Sequence, residues 1–373
     1  MSPLIFWISV AVVAYTYAGY ALLTALLARA RGSEPARADT APPVTVVIAA
    51  YNEVGRIRQR VHNILTQDYP AQRVSVIVVS DGSDDGTALA AASDDARVRV
   101  LALPANVGKA GALDAAMRAV ATEFVVFTDA RQRFAPDTLR RLVAAFADAG
   151  VGAVGGDVEI VERDGRHSPA GIYWRIEKIL REGEARIGWL HGVSGAVYAV
   201  RTELFRTIPP GTILDDMWIP LHVVFAGRRV WLERAAVAYD EPSADVAEEY
   251  RRKLRTLAGN WQLIARLPRL LVPWRNPVFF AWFSHKFLRL VAPWALIAAW
   301  IASACIDGAF YRFAFFAQTA GYLAAAAALL APGIAGRIPL LPAAASFVML
   351  NTAALFSLPA YLARDQFQLW KKR

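Results

Sequence analysis

Four acidic positions carry most of the chemistry in this 373-residue sequence. Glu53, Asp81 and Asp129 each follow an apolar, β-branched run: residues 44–50 lead into Tyr51-Asn52-Glu53, residues 74–80 into Asp81, and residues 124–128 into Asp129. Carboxylates at the ends of buried strands lie where open α/β sheets bind ligands. The fourth position is the pair Asp215-Asp216, which precedes the apolar Met217-Trp218-Ile219. Adjacent acids raise one another's pKa, which suits a base working near neutral pH. Both features also fit a purely structural role. The run DGSDDGT from Asp81 to Thr87 has the composition of a turn and helix cap, and an acid pair before an apolar run also fits a cap.

The elements that position these acids alternate. Runs at 44–50, 74–80, 98–101 and 124–128 read as strands, and helices are expected at 54–67, 86–92, 108–121 and 136–147. This alternation predicts an α/β fold with a mainly parallel sheet and helices on both faces. Right-handed connections then gather the acid-bearing strand ends at one edge. Beyond residue 150 the pattern is less regular, with strands near 151–155, 197–201 and 230–232, and this half would form the acceptor side of a cleft.

The apolar fraction of 56% is high for a purely soluble protein, and the excess sits at both ends. Residues 3–28 carry no charge and would span ~39 Å as a helix, enough to cross a bilayer. Their length, recurring aromatics and lack of a basic start fit a retained anchor better than a cleaved signal peptide. Three further runs, 288–306, 310–331 and 339–362, have spanning length, and Pro342 and Pro359 would bend the last. Arg29, Arg31 and Arg37 follow the first run, and Arg266, Arg269, Arg275, Lys286 and Arg289 precede or open the second. This places the middle of the chain in the cytoplasm and the protein in a bacterial inner membrane. One span before that middle and three after it put both termini outside, whereas the tail Lys371-Lys372-Arg373 favours the inside. The resulting division is an anchor at 1–31, a linker at 32–43, a first half of the α/β domain at 44–150 and a second half at 151–245. Interface helices at 246–285, membrane segments at 286–364 and a basic tail at 365–373 complete it.

Residues 246–266 predict a basic amphipathic helix along the membrane surface, with Tyr250, Leu254, Leu257, Trp261 and Ile264 on one face. The net charge of +9 fits basic residues that flank membrane segments and meet anionic lipid, and no nucleic-acid-binding motif accompanies it. The one cysteine, Cys305, lies in an expected span, which leaves no intrachain disulfide. The five histidines lack paired metal spacing, so no zinc site is expected. His191 reads equally as a buried structural histidine or as part of an acceptor cleft.

The motifs AAYNE, VVSDGSDDGT, NVGKAGALDAA and VVFTDARQ, in this order, resemble the nucleotide-binding half of family 2 glycosyltransferases. GVSGAVYAVR and LDDMWIPL resemble the acceptor half, and together these cover roughly residues 44–262. The flanking spans resemble those of chitin, hyaluronan, poly-N-acetylglucosamine and cellulose synthases. The resemblance implies a Rossmann-like GT-A domain and an inverting transferase that takes a nucleotide sugar, most simply UDP-linked. It implies Tyr51 and Glu53 around the base and ribose, Asp81 on the uracil N3 proton, and Lys109 at the base or diphosphate. Asp129 matches the first acid of the family's Asp-x-Asp element, which implies a role in holding Mg²⁺ or Mn²⁺. Arg131 stands at its third position and would, with Lys109, offset diphosphate charge. Asp215-Asp216 matches the pair that supplies the catalytic base, assigned here to Asp216. The Gln-x-x-Arg-Trp signature is poorly kept, with Arg255 left for the leaving diphosphate and Trp261, displaced by a turn, for an acceptor sugar.

Expected partners are the sugar donor, a polysaccharide or oligosaccharide acceptor, membrane lipid, and export or assembly subunits. An alternative is single addition to a lipid carrier or lipid-linked glycan, which the degraded signature favours. A binding subunit without turnover rests only on the missing third-position acid.

Overall fold

The computed structural model describes residues 3–162, 172–242, 246–330, 338 and 340–363. Eight strands form one sheet: β1 (Val44–Ala50), β2 (Val74–Asp81), β3 (Val98–Leu103), β4 (Phe124–Asp129), β5 (Arg133–Phe134), β6 (Val151–Ile160), β7 (Tyr198–Arg201) and β8 (Arg229–Asp240). Their order is β3-β2-β1-β4-β7-β6-β8-β5. The first four run parallel, as the βα alternation predicts. β7 then enters antiparallel to both β4 and β6, so the sheet is mixed, with four of its seven strand pairings parallel. The fold is the expected Rossmann-like GT-A arrangement with helices on the sheet.

Register explains how the acids meet. β1 is buried along nearly its whole length because helices cover both faces, hence its Val- and Ile-rich composition. Ala50 pairs with Ser80 of β2, and Ala49 pairs with Asp129 of β4. Asp81 and Asp129 therefore end their strands on either side of β1. Gly82, with φ +64°, turns the chain immediately after Asp81; a Cβ there would lie 2.3 Å from the Asn106 amide nitrogen.

The structure adds elements that the sequence pattern did not predict. β5 has only two residues and follows the Asp129 turn, too short for a period to register. Helix Ile172–Arg186 packs against β8 and the first membrane helix. β8 continues eight residues past the expected strand end at 232, across a bulge opposite Gly156–Asp157.

Four helices are long and apolar enough to cross a membrane: Pro3–Arg31, Phe279–Cys305, Ala309–Leu330 and Leu341–Leu362. The second starts well before residue 288, because Phe279 to Phe287 continue the helix through a π-type turn. The basic tail lies outside the described residues. Phe6 of the first helix packs on Ala299 and Ala302 of the second, and Tyr17 OH donates to Asn351 Oδ1 of the fourth at 2.9 Å.

Helix Val246–Arg266 appears with the expected bounds but a different environment. Its apolar side is covered by protein: Leu263 joins the main core, Gly259 meets Leu214, and Trp261 Nε1 donates to Ser357 Oγ of the last membrane helix at 3.0 Å. The helix is a strut between the catalytic lobe and the membrane part.

Gly82→Ala is expected to lower the Tm of the detergent-solubilised protein through a loss on the order of 1–3 kcal/mol. Gly55→Ala, whose added methyl meets nothing within 4 Å in a helix, is expected to leave Tm unchanged or slightly higher. Equal shifts in the two variants would rule out the close approach at Gly82 as the cause.

Candidate active site

The loop after Asp81 divides its residues between two tasks. Asp85 and Thr87 cap neighbouring helices: Asp85 Oδ2 accepts from the Val54 amide at 3.0 Å, and Thr87 Oγ1 from the Glu53 amide at 2.8 Å. Asn52, held at φ +54°, exchanges side-chain hydrogen bonds with Asp84. The turn-and-cap reading thus holds for these residues. Asp81 differs: it is 3% exposed, and its Oδ1 accepts from the Val107 amide at 2.8 Å. Burial pushes its pKa up against the Val107 and Gly108 amides. The Val107 amide at the start of helix Gly108–Met117 is therefore engaged by Asp81 rather than free for an anion. Tyr51 follows β1 directly, and the Glu53 carboxylate pairs with Arg56 at 3.4 Å.

The remaining acids converge on Lys109, at the second position of that helix. Lys109 Nζ lies 2.8 Å from Asp129 Oδ1 and 3.3 Å from Asp215 Oδ2. Burial disfavours its charge, but Asp129 and Asp215 overcome this and hold it protonated well above the usual lysine range. Asp215 and Asp216 form the first turn of helix Asp215–Phe225, where the macrodipole favours anions. The loop 192–195 closes over them. Val193 N donates to Asp216 O at 3.0 Å, and a Cβ on Gly195 would sit 3.2 Å from Lys109 Nζ and 3.4 Å from Asp216 Oδ2. Burial, and then the neighbouring Asp215 charge, push the Asp216 carboxyl up to about 6. Burial raises Asp215 as well, with Lys109 opposing it.

Arg255 joins this centre from helix Val246–Arg266. Burial pulls its pKa down, while Asp129, Asp216 and Asp215 act in the other direction. Arg131 is placed otherwise: its Nη2 pairs with Asp240 Oδ2 at 2.6 Å, and Gln132 Nε2 donates to the same oxygen at 3.0 Å. The third position of the Asp-x-Asp element is thus tied to the end of β8. Trp261 points toward the membrane helices through Ser357. His191 is 1% exposed, its Nδ1 lies 3.0 Å from Trp189 O, and burial pushes its pKa down to about 4.

Arg60 was missed from sequence. It is 3% exposed, donates to Thr128 Oγ1 at 2.7 Å, and lies 4.2 Å over the Phe134 ring. Burial lowers its pKa to about 9, and Asp129 opposes the shift. The available signal was an arginine in phase with Ile57, Val61 and Ile64 on the inner face of its helix.

A family model described as "Glycosyl transferase family 2" matches residues 45–208, which contain β1, β2, β4 and the loop over Lys109. An N-acetylglucosaminyltransferase of Mesorhizobium japonicum is 34% identical over 242 residues, 60% of this chain and 57% of that protein. Residues 45–208 thus form a glycosyl transferase family 2 domain. The succinoglycan biosynthesis protein ExoO of Rhizobium meliloti is 37% identical over 133 residues, 35% of this chain and 38% of the relative. The chain thus spans about half the length, or less, of these curated relatives. A solved structure, mannosyltransferase PcManGT from Pyrobaculum calidifontis in complex with GDP-Man and Mn²⁺, superposes with a TM-score of 0.72 at 25% identity. That superposition covers 96% of this chain and 99% of the other.

The family context raises the question of a metal. Asp129 and Asp215 offer oxygens to one cation, at present the Lys109 ammonium. Among the described residues no group of three or more His, Cys, Asp or Glu could hold an ion alone. The donor set therefore fits a hard divalent cation only where phosphate oxygens and water complete its shell, as Mg²⁺ commonly accepts.

Asp216→Asn removes a carboxylate that is costly to ionise in place. A folded-state pKa above the unfolded value means that the acid's contribution is fully present below about pH 4 and is lost as pH rises through about 6. The variant is therefore expected to be more stable than the parent above pH 6, on the order of 1–3 kcal/mol, with the Tm difference shrinking toward pH 4. A Tm gain independent of pH would contradict the assignment of buried charge to Asp216.

Proposed function

We propose that the chain is an inverting membrane glycosyltransferase that takes a nucleotide diphosphate sugar on the cytoplasmic face and transfers the sugar to a glycan or lipid-linked acceptor. The observation that carries this reading is the joint placement of Asp129, Lys109, Asp215 and Asp216 at the strand ends beside Asp81. A UDP-linked donor, with N-acetylglucosamine the first sugar to test, follows from the relatives' names and from the match of Asp81 to the family's uracil-binding position. Basic residues around the spans support the cytoplasmic assignment.

Asp216 is the base. Its carboxylate takes the acceptor hydroxyl proton as the oxygen attacks the anomeric carbon, and the bond to the diphosphate breaks with its electron pair on the leaving phosphate. A pKa raised to about 6 keeps the base ionised at neutral pH yet gives it more proton affinity than an ordinary aspartate. Lys109 and Arg255 place positive charge where the diphosphate develops its own negative charge. Asp129 and Asp215 are the residues that would hold a divalent cation, which supplies further neutralisation of the leaving group. Arg60 positions the Thr128–Asp129 strand end from beneath.

A second reading, single addition to a lipid-linked acceptor rather than polymer synthesis, is favoured by the engagement of Trp261 with Ser357. A tryptophan held on a membrane helix is not available to stack on a growing glycan. Product sizing separates the two: a ladder from one donor supports a polymer, and one shifted lipid band supports single addition.

UDP release from a panel of UDP-sugars, with membranes as the acceptor source, tests the activity. Turnover is expected to fall with unit slope as pH drops through about 6, as Asp216 becomes protonated. Asp216→Asn is expected to lower kcat by roughly 10²- to 10⁴-fold while UDP still binds. Parental turnover in that variant would exclude Asp216 as the base. Excess EDTA is expected to abolish release and Mn²⁺ to restore it; full activity in EDTA would remove the cation from the reaction.

A further inference from the structure

A buried charged cluster on the membrane side of the catalytic acids has no role in the chemistry above. Helix Ile172–Arg186 contributes Glu177, Arg181 and Glu184; helix Phe279–Cys305 contributes His285, Lys286 and Arg289. His285, 1% exposed, bridges the two acids: Nδ1 lies 2.9 Å from Glu184 Oε1 and Nε2 3.0 Å from Glu177 Oε1. Arg289 Nη1 pairs with Glu177 Oε2 at 2.9 Å, and Tyr20 OH donates to Glu184 Oε1 at 2.9 Å. These contacts engage both carboxylates.

Lys286 is left over. Among the described residues it makes no hydrogen bond or ion pair, although it is half-buried and feels Glu177, Arg289, Glu184 and Arg181. Among the described residues Arg181 donates only to the Gly192 carbonyl, at 3.3 Å. Among the described residues Lys286 and Arg181 thus have no carboxylate within ion-pair distance, and the adjacent Lys178–Asp157 pair, at 2.8 Å, is closed on itself. An unpaired cation in a partly desolvated place is costly unless an anion joins it.

The position of the cluster indicates which anion. A cavity lined by Asp157, Glu177, Lys178, Arg181, Ser194 and Leu232 runs beside it. Ser194 adjoins Gly195, which lies against Asp216 Oδ2 and Lys109 Nζ. The Lys286 charge also acts on Asp216 itself. A ligand that reaches both Lys286 and Asp216 therefore occupies the acceptor end of the site, and its cationic anchor stands on a membrane-crossing helix.

We propose that Lys286, with Arg181 and Arg289, binds the phosphate of a membrane-lipid-linked acceptor and thereby holds the acceptor hydroxyl at Asp216. Charge-assisted hydrogen bonds from an ammonium and guanidinium groups match phosphate oxygens. The acceptor role rests on the transferase reading given above; the phosphate site does not.

The test uses the full chain in dodecyl maltoside with farnesyl phosphate, farnesol and inorganic phosphate as probes, read by calorimetry, and UDP binding measured on the same samples. Farnesyl phosphate is expected to bind at least tenfold more tightly than farnesol. Lys286→Met is expected to weaken farnesyl phosphate at least tenfold and farnesol little, and Lys286→Arg to restore most of the affinity. UDP binding reports whether each variant is folded; if Lys286→Met does not fold, the comparison of probes on the parent protein still decides. Equal binding of farnesol and farnesyl phosphate, with UDP binding intact, overturns the phosphate site alone. Inorganic phosphate binding as tightly as farnesyl phosphate overturns the lipid-linked source. A parent protein that prefers farnesyl phosphate but releases no nucleoside diphosphate from any nucleotide sugar supports the phosphate site and overturns the transferase reading, and with it the acceptor role.

Discussion

Three carboxylates drawn into one crevice repel one another and lose hydration, and the ammonium of Lys109 makes their convergence tolerable. It contacts Asp129 at the end of β4 and Asp215 at the head of a helix from the other half of the domain. In addition to the β4–β7 pairing, the two halves of the lobe are therefore joined at the site by one ion-paired nitrogen. The opposing shifts show the balance: Lys109 is held protonated, while Asp215 and Asp216 are pushed toward their neutral forms by burial. Under the proposed function a phosphate-bearing ligand would compete for the same nitrogen, so the contact that holds the acids together would also respond to such a ligand. Gly195 belongs to this constraint, because a side chain there would press on both Lys109 and Asp216.

How much of this was legible depended on whether a residue's role is local. The strand-ending acids could be read because a buried parallel strand is a short apolar run with a sharp end, and β1 appears with the bounds its sequence implies. Helix Val246–Arg266 was legible from its period for the same reason. Roles set by distant chain were not. The partner of Arg131 is Asp240, more than one hundred residues away, and neither spacing nor motif connects them. The strand at 197–201 was legible and appears as β7, but its antiparallel direction, which turns a parallel sheet into a mixed one, is set by pairing with distant β4 and was not. Trp261 was assigned by motif to a sugar, but its indole nitrogen found a hydroxyl on the last membrane helix. Arg60 was visible in phase with the apolar face of its helix, where a buried cation is unusual enough to call for an anionic partner.

The membrane helices are more than an anchor for the lobe. Arg255 and Trp261 are six residues apart on one helix, so at about 100° per residue they face in widely different directions. One lies within electrostatic reach of the catalytic acids and the other is bonded to Ser357. The helix fixes an arginine at the reaction centre by reference to a membrane helix. His285 does the same from the opposite side, because its two ring nitrogens fasten Glu177 and Glu184 to the second span.

The electrostatics of the base follow from this construction. Asp216 takes its raised pKa from burial and from Asp215, both properties of the lobe, but is opposed by Lys109 from the lobe and Lys286 from a membrane helix. A lobe separated from its helices would keep the acids and Lys109 but lose Lys286 and the framework that holds Arg255. Its Asp216 would be harder to ionise, and the crevice would have one cation fewer. The membrane part thus helps to set the proton affinity of Asp216, the proposed base, through charged residues at the start of the second span that are turned inward to the protein.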